Sequence, residues 1–347
     1  LQHMRPITAR LKNYAILGRL PMSPLTISVP ILSTYAIGEV RPSLTMWVGL
    51  IGLGLTTHLF GFALNDLIDH PVDRTHPSRQ QHPLTTGQLS RREAWLFTLL
   101  QIPLAFGFFL LCLSPNVLAV AVLLASLLCS ITYDVWSKWG RLPRLIPEVA
   151  LAASVALLGM STMLAHTAHP PTPAVLWAVI LGMGLLLLNS VSSGLKDLKT
   201  DLAYGARSFV IALGTRVEGE DGLWIPSALR RYSFILQMVV LIGTAYLWWA
   251  FQPPLLLWIL SLILSLYGAL HLRMLLTLTS WRGLLASLPL LHGHYTYTAL
   301  VLVVADRLPL LLQLLVALLV FSLLQTPLRL ALTMWRRGYQ PVPSPDG

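Results

Sequence analysis

The sequence predicts an all-α, polytopic membrane protein: a helical bundle of nine or ten transmembrane helices around a central cavity. Of its 347 residues, 55% are apolar and only 11% are charged, and the mean hydropathy is +0.69. A chain with so little polar surface cannot coat a water-soluble globule of this size. The apolar residues also gather into stretches long enough to cross roughly 30 Å of hydrocarbon. These observations exclude an ordinary soluble enzyme.

Ten stretches have the length and polarity of membrane helices. They cover residues 24–40, 44–64, 94–113, 116–135, 145–167, 173–195, 233–251, 254–275, 283–305 and 308–334. The first nine form one predicted transmembrane domain, residues 24–305, preceded by a cytoplasmic N-terminal segment at 1–23. The stretch 308–334 is predicted to add a tenth, C-terminal transmembrane helix, which is followed by a cytoplasmic tail at 335–347.

Basic residues support this segmentation and orient it. Lys and Arg collect on the cytoplasmic side of membrane proteins, in short loops and near the ends of the spans. With ten helices and an internal N-terminus, all of the 24 Lys and Arg except Arg41 and Arg307 fall on the cytoplasmic side. A basic face beside anionic lipid then explains the net charge of +10, and no nucleic-acid partner is needed.

Two acidic clusters follow the second and the sixth predicted helices, both on the cytoplasmic side. They are Asn65-Asp66-Leu67-Ile68-Asp69-His70-Pro71-Val72-Asp73 and Lys196-Asp197-Leu198-Lys199-Thr200-Asp201. Acidic side chains are costly at membrane depth, so their concentration at two places indicates function. Their spacings, i, i+3, i+7 and i, i+4, put each cluster on one helix face if the helix continues. Pro71 can interrupt the first helix and place Asp73 on the loop.

The chemistry expected of these clusters is metal binding. Five carboxylates at one cavity mouth would repel one another unless cations neutralise them. Hard oxygen ligands suit Mg²⁺, which retains waters and bridges to substrate phosphates. We therefore predict Mg²⁺ as the cofactor and a diphosphate as the substrate. The predicted metal ligands are Asp66, Asp69, Asp73, Asp197 and Asp201.

Basic residues on the same predicted face would bind the diphosphate. Arg suits bidentate phosphate binding and Lys acts as a point charge. The predicted diphosphate-binding residues are Asn65, Arg79, Lys138, Lys196 and Arg207, with Lys199 nearby. The alternative for each cation is an anchor at the cytoplasmic surface. Arg79 and Arg207 each lie a few residues after an acidic cluster, which favours the diphosphate role for both.

The spacing of the clusters also suggests an internal repeat. The second cluster lies four helices after the first, and a duplicated four-helix unit would bring the two together from opposite walls of a cavity. Acidic residues and internal repeats also occur in cation-coupled secondary transporters, which remain an alternative from another class. Transporter carboxylates lie near the bilayer midplane, whereas these lie at helix ends beside basic loops. That position favours an enzyme.

The chain resembles the UbiA superfamily of intramembrane prenyltransferases over roughly residues 20–305. The resemblance rests on N-D-x-x-D-x-x-x-D from Asn65 to Asp73 and on D-x-x-x-D from Asp197 to Asp201. The stretches that follow them also match, Pro83-Leu84-Thr85-Thr86-Gly87 and Gly205-Ala206-Arg207-Ser208-Phe209. The resemblance implies Mg²⁺-dependent transfer of an isoprenyl chain from an isoprenyl diphosphate to a hydrophobic, aromatic or lipid-like acceptor. Under this reading the expected catalytic residues are Asp66, Asp69, Asp197, Lys138 and Tyr133.

Departures from the family pattern keep alternatives open. His82 stands where relatives commonly carry Arg, and Asp134 is not expected beside Tyr133. Residues 73–82 also resemble the branch that transfers phosphoribose to a polyprenyl phosphate. A terpene cyclase of the same architecture would need no acceptor. Tyr133 is expected either to hydrogen-bond phosphate or to belong to an interfacial aromatic belt.

Polar residues inside predicted helices are further candidates. Glu148, His292 and His294 either contact the acceptor or pair neighbouring helices. The acidic, glycine-bearing stretch 218–222 predicts a flexible, solvated loop that could cover the site. Acceptor identity, prenyl chain length and oligomeric state are not determined by the sequence.

Overall fold

The computed structural model describes residues 7–38, 40–74, 79–139, 141–287 and 292–336, with side chains described except at 285–287 and beyond 323. Within these ranges the chain is helical apart from its connections and one two-stranded hairpin. Most of the predicted tail, from residue 337 onward, lies outside them.

The first part of the chain forms six long helices: α1 (Ile7–Leu17), α2 (Ser23–Ala36), α3 (Leu44–Ile68), α4 (Arg91–Leu113), α5 (Val117–Trp136) and α6 (Leu145–His166). Three of them begin where a polar side chain caps the first turn, at Ser43, Ser90 and Asn116. Such caps satisfy backbone N–H groups that have no partner within the helix. α3 packs against α2 and α4, and α5 packs against α6.

The second part contains the remaining helices: α7 (Thr172–Leu187), α8 (Gly194–Tyr204), α9 (Ser227–Phe251), α10 (Leu255–Thr277), α11 (Trp281–Ser287), α12 (His292–Leu302) and α13 (Leu310–Arg336). A π-helical segment, Leu188–Ser193, joins α7 to α8, so that the two form one rod of 33 residues. α7 packs against α2, α6, α9 and α12. It therefore links the first part of the bundle to the second.

Two glycines allow close helix crossings. A Cβ at Gly54 would lie 2.6 Å from the Ile27 Cα, so α3 can approach α2 only without a side chain there. A Cβ at Gly182 would lie 2.5 Å from the carbonyl oxygen of Ala152, where α7 crosses α6. Small residues serve this purpose in membrane bundles because close backbone approach increases van der Waals contact.

The protein is an all-α, multi-pass membrane protein, but the predicted count of nine or ten spans is not confirmed. Over the described ranges, seven helices are long and apolar enough to cross a membrane, or eight if α1 and α2, bent by 53°, form one span. Within the predicted helix 283–305 the described residues form α11 and α12. Residues 288–291 between them lie outside the described ranges. Of α13, side chains are described only as far as Leu323.

The stretch 218–222 is not the flexible loop that its composition predicts. It closes a hairpin of strands β1 (Arg216–Glu218) and β2 (Gly222–Trp224). The Asp221 carboxylate accepts hydrogen bonds from the Ser280 hydroxyl, at 2.6 Å, and the Arg282 amide, at 2.8 Å. These bonds attach the hairpin to the start of α11.

A cavity of about 810 Å³ opens at one end of the bundle, among the end of α2, the start of α7 and the end of α9. The motif carboxylates lie at the other end, because α3 begins at Leu44, near this cavity, and reaches Asp66 about 33 Å further along its axis. This cavity is therefore not the candidate site. The central cavity expected beside the aspartates stays a prediction.

Candidate active site

Both acidic motifs meet at Lys138, just beyond the end of α5. Its Nζ lies 3.0 Å from Oδ2 of Asp69 and 3.4 Å from Oδ1 of Asp201. Asp69 belongs to the first motif and Asp201 to the second, 132 positions apart in the chain. Asp69 and Asp201 are buried, with 5% and 1% of their surfaces exposed. One buried cation thus joins the motifs, as the sequence predicts for a shared site.

Asp66 is the second centre of charge. It lies in the last turn of α3, its side chain is fully buried, and three groups converge on it. Arg19 forms an ion pair with Oδ1, and Nη2 of Arg79 lies 3.3 Å from the same oxygen. Nε2 of His82 lies 3.1 Å from Oδ2. His82 therefore lies beside an aspartate of the motif.

The first motif is interrupted at Pro71, as predicted, but Asp73 lies in a helical turn rather than on a loop. α3 ends at Ile68, and a single helical turn, His70–Asp73, follows with the proline in its first positions. Asp73 faces Arg79, whose Nε lies 3.5 Å from its Oδ2. Asn65 donates a weak hydrogen bond of 3.5 Å to Asp69. The amide thereby orients a carboxylate of its own motif.

The second motif lies on α8, where Asp197 and Asp201 are one turn apart. Asp201 points into the bundle, whereas the Asp197 side chain is 33% exposed and lies 3.5 Å from Lys196. α8 ends at Gly205, in the left-handed conformation with φ +73°. A glycine adopts this conformation without the strain that a Cβ imposes. The chain then turns back, and the Arg207 amide donates to the Lys138 carbonyl.

Three of the predicted cations lie at the rim. Lys196 is 54% exposed. Lys199 donates to the Glu220 carbonyl and lies 5.1 Å from the centre of the Trp281 ring. The exposed Arg207 side chain makes no hydrogen bond or ion pair within the described parts of the chain. Lys138 and Arg79 thus reach buried carboxylates, whereas Lys196 pairs with the partly exposed Asp197, and Lys199 and Arg207 form no ion pair with a motif carboxylate among the described residues.

Arg19 is a site residue that the sequence analysis assigns only to the basic cytoplasmic face. It lies at the break between α1 and α2, with φ 45° and ψ 44°, a left-handed conformation that is strained for a residue with a Cβ. Its guanidinium reaches Asp66 and lies 5.0 Å from the centre of the Phe62 ring. The signal in the sequence is the pair Gly18 and Pro21, which breaks the helix around a single arginine.

Burial is the largest single influence on the pKa values of the site groups that lie outside the spans. Burial raises the pKa of Asp69 to about 6, and the ammonium of Lys138 only partly opposes this effect. Burial also raises the pKa of Asp73, against the pull of Arg79. For Lys138, burial lowers the pKa, but Asp69 and Asp201 outweigh it and the net shift is upward. The site therefore favours an additional cation, which would keep these carboxylates ionised.

The donor set fits a hard divalent cation. In the described part of the chain no three carboxylate, His or Cys side chains already form a metal cage, because Lys138, Arg19 and Arg79 lie among the carboxylates. However, Oδ1 of Asp69 and Oδ2 of Asp201 are buried without a hydrogen-bond partner there. Buried carboxylate oxygens that lack partners are costly and are suited to a metal with oxygen ligands.

Tyr133 lies near the end of α5 and bonds to a neighbouring helical segment. Its hydroxyl accepts a hydrogen bond of 2.9 Å from the amide of Asn189, which also donates to the Glu148 carboxylate at 2.8 Å. Asn189 lies in the π-helical segment, a type of distortion that frequently marks functional sites. Asn189 was not predicted from the sequence, where it follows a run of four leucines. The Tyr133 hydroxyl is thus bonded to the side-chain amide of Asn189, and it makes no hydrogen bond to a motif carboxylate among the described residues.

Much of this chain is similar in sequence to known proteins. The model of the UbiA prenyltransferase family matches residues 27–284, about three quarters of the chain. The chain is 28% identical over 189 residues to a 4-hydroxybenzoate octaprenyltransferase of Vibrio cholerae, covering 54% of this chain and 63% of that protein. The corresponding protein of Vesicomyosocius okutanii is 28% identical over 44% of this chain and 52% of its own length. The chain thus spans about half of the length of the curated relatives it matches.

Solved structures share the fold. A digeranylgeranylglyceryl phosphate synthase superposes with a TM-score of 0.62 at 14% identity, covering 85% of this chain and 98% of that chain. A UbiA homologue from Archaeoglobus fulgidus bound to DMAPP and Mg²⁺ gives a TM-score of 0.57 at 17% identity, covering 83% and 99%. At these identities the likeness establishes the architecture alone. Since the family model covers most of the chain, this protein belongs to the UbiA prenyltransferase family.

Proposed function

We propose that the protein transfers an isoprenyl chain from an isoprenyl diphosphate to a hydrophobic, aromatic or lipid-like acceptor within the membrane, with Mg²⁺ as cofactor. The observation that carries the proposal is the position of Lys138 between Asp69 and Asp201. Two carboxylate motifs and a cation at one buried point are the elements that a metal and diphosphate site requires. The relatives named above support it, because one is bound to Mg²⁺ and DMAPP.

Mg²⁺ would be held by Asp66, Asp69, Asp73, Asp197 and Asp201, and its role would be to offset the charge of the diphosphate. The chain's own cations would share that role. Arg19 and Arg79 now pair with Asp66, and Lys138 pairs with Asp69 and Asp201. If these carboxylates held a metal, the three side chains would be available to the phosphate oxygens. Lys196 and Arg207 would reach the diphosphate from the rim.

The reaction follows from this distribution of charge. The bond between the allylic carbon and the diphosphate oxygen breaks, and its electron pair leaves with the diphosphate. Arg19, Arg79 and Lys138 stabilise the negative charge that grows there more than they stabilise the ground state. The acceptor supplies the electron pair of the new bond and loses a proton. The surrounding helices exclude the water that would otherwise capture the allylic cation.

The orientation is part of the proposal. In the predicted topology the basic residues are in excess on the side that carries the motifs, which supports a cytoplasmic active site. In this arrangement 24–305 is the prenyltransferase domain and 308–334 an added helix. The location of the carboxylates at and beyond helix ends also favours an enzyme over a cation-coupled transporter.

The test is product analysis with purified protein. The protein would be incubated with Mg²⁺ and labelled prenyl diphosphates of increasing length, with and without membrane extract, and products would be identified by mass spectrometry. We expect a prenylated acceptor only when extract is present, and none after EDTA treatment until Mg²⁺ is restored. A cyclic hydrocarbon formed without extract would identify a cyclase instead. Consumption of a phosphoribosyl donor with a polyprenyl phosphate would identify the phosphoribosyl branch.

A further inference from the structure

A hydrogen-bonded network crosses three helices below the carboxylates. The Asn189 amide donates to the Tyr133 hydroxyl at 2.9 Å and to the Glu148 carboxylate at 2.8 Å. Tyr133 lies on α5, Glu148 in the first turns of α6, and Asn189 in the π-helical segment. The next residue, Ser190, lies 3.1 Å from the Tyr232 hydroxyl of α9. The π-helix thus turns two successive polar residues toward partners on different helices.

The network lies where an acceptor would meet the prenyl donor. Asn189 precedes Asp197 by eight residues on the same rod, about 12 Å along its axis. Tyr133 precedes Lys138 by about 7 Å on α5 and its end. A diphosphate bound among Asp69, Lys138 and Asp197 would therefore direct its first isoprene unit toward this network.

The chemistry of the network selects hydrogen-bond donors. Glu148 is 6% exposed, and over the described ranges no Lys, Arg or His nitrogen lies within 4.0 Å of its carboxylate. A hydroxyl can donate to Glu148 or to the Tyr133 oxygen. A carboxylate brought to the same place finds no cationic partner and meets a second acid, and like charges placed together lower affinity.

We propose that Glu148, held by Asn189, receives the hydroxyl of the acceptor, and that this chain prefers a neutral hydroxylated acceptor, a phenol or an alcohol, to a carboxylate. The inference rests on the proposed prenyl transfer and specifies its acceptor class. It separates this chain from the curated relatives, whose names specify 4-hydroxybenzoate as acceptor. Glu148 acts as an acceptor-binding residue, and Asn189 as a positioning residue.

A matched pair of acceptors tests the charge preference. The full chain in lipid nanodiscs would be assayed with Mg²⁺ and geranyl diphosphate against 4-hydroxybenzoate and its methyl ester. Both carry the same phenol, and they differ in one negative charge. The wild-type kcat/KM should favour the ester by about tenfold or more, as expected for a charge without a partner near a buried acid.

Two variants connect the preference to Glu148. Glu148→Gln keeps the shape and removes the charge, so the ratio of kcat/KM for ester over acid should fall at least about fivefold. The KM for geranyl diphosphate should not change, whereas the KM for the ester should rise. Glu220→Gln, the same change on the exposed tip of the hairpin, is the control and should leave the ratio as in the wild type. Asn189→Asp adds an acid to the network and should increase the ratio of kcat/KM for ester over acid. This variant still tests the proposal if Glu148→Gln folds poorly.

The outcomes separate this inference from the proposed function. Equal use of both acceptors, a preference for the acid, or a ratio unmoved in both network variants would overturn the acceptor assignment and leave prenyl transfer standing. Prenylation of a carboxylate-bearing extract component alone would overturn it too. Absence of any prenylated product, with extract included, would overturn the proposed function itself.

Discussion

At the residue scale we propose that the motif carboxylates are functional groups, because folding alone gives no reason to bury them together. We expect Asp66→Asn, Asp69→Asn and Asp197→Asn each to lower kcat/KM at least about 100-fold, roughly 3 kcal/mol of transition-state stabilisation. Each change keeps the shape and removes a negative charge. Turnover would be measured with saturating Mg²⁺, and thermal unfolding in detergent would verify folding. Asp306→Asn, at the opposite end of the bundle, is the matched control. Full activity in two of the three motif variants would refute the metal assignment.

Arg19 gives the second prediction at this scale. Arg19→Ala should raise the KM for the prenyl diphosphate about tenfold or more, since a charge-assisted hydrogen bond contributes about 1.5–3 kcal/mol. Arg10→Ala, an exposed cation on α1, should leave this KM unchanged. Arg19→Gly should lose the same affinity but unfold at a higher temperature than Arg19→Ala, because glycine relieves the left-handed backbone. An unaltered KM in both Arg19 variants would show that this arginine only supports the fold.

Sequence alone predicts the site residues whose spacing carries information and misses those brought in by the tertiary structure. The aspartates, Arg79 and Lys138 follow from motif spacing or the family resemblance, and the structure brings them together. Arg19 and Asn189 belong to no motif with a recognisable spacing, since each makes its contact with a residue on another helix. For Lys196 and Arg207, position in the sequence predicts the correct end of the bundle but not whether the side chain turns inward.

At the scale of the helices, the sequence predicts which segments are apolar but not where each helix ends. The stretch 173–195 marks the apolar part of the rod, yet the helix continues to Tyr204, because α8 is amphipathic: it buries Leu195, Leu198 and Asp201 and leaves Lys196 exposed. Within 283–305 the described residues form α11 and α12, and the single helix expected there stays a prediction. The hairpin escapes prediction because Asp221 takes its partners from residues 280–282, some 60 positions away.

A crossing of helices supplies the third prediction. Gly182→Ala should destabilise the protein by about 2 kcal/mol, because its Cβ would meet the Ala152 carbonyl and force α7 away from α6. Gly107→Ala on α4 is the control, since its Cβ has open space within 4 Å among the described atoms. That change should be neutral or stabilise by up to about 1 kcal/mol. The comparison would be made by thermal unfolding in one detergent. Equal shifts for both variants would contradict the close crossing.

The whole molecule has one property on which the proposed function depends, namely that both motifs lie on the same side of the membrane. The structure brings the two motifs together at one end of the bundle, because one lysine contacts both Asp69 and Asp201. The predicted segmentation indicates which side this is, because it places only Arg41 and Arg307, of the 24 Lys and Arg, on the side opposite the motifs. An orientation with the motifs outside would reverse this bias, which membrane insertion disfavours.

Cysteine labelling in cells tests the orientation. Cys112 and Cys129 would first be replaced by Ser, and single cysteines introduced as Arg92→Cys at the start of α4, Glu220→Cys in the hairpin and Ala168→Cys after α6, all at exposed positions. The first two lie at the motif end of the bundle and the third at the opposite end. An impermeant thiol reagent should therefore label Ala168→Cys in intact cells, and the other two only after the membrane is opened. Labelling of Arg92→Cys and Glu220→Cys in intact cells would invert the orientation and place the diphosphate site outside the cell. Labelling of these two from opposite sides would separate the motifs, and no shared site for metal and diphosphate could then exist.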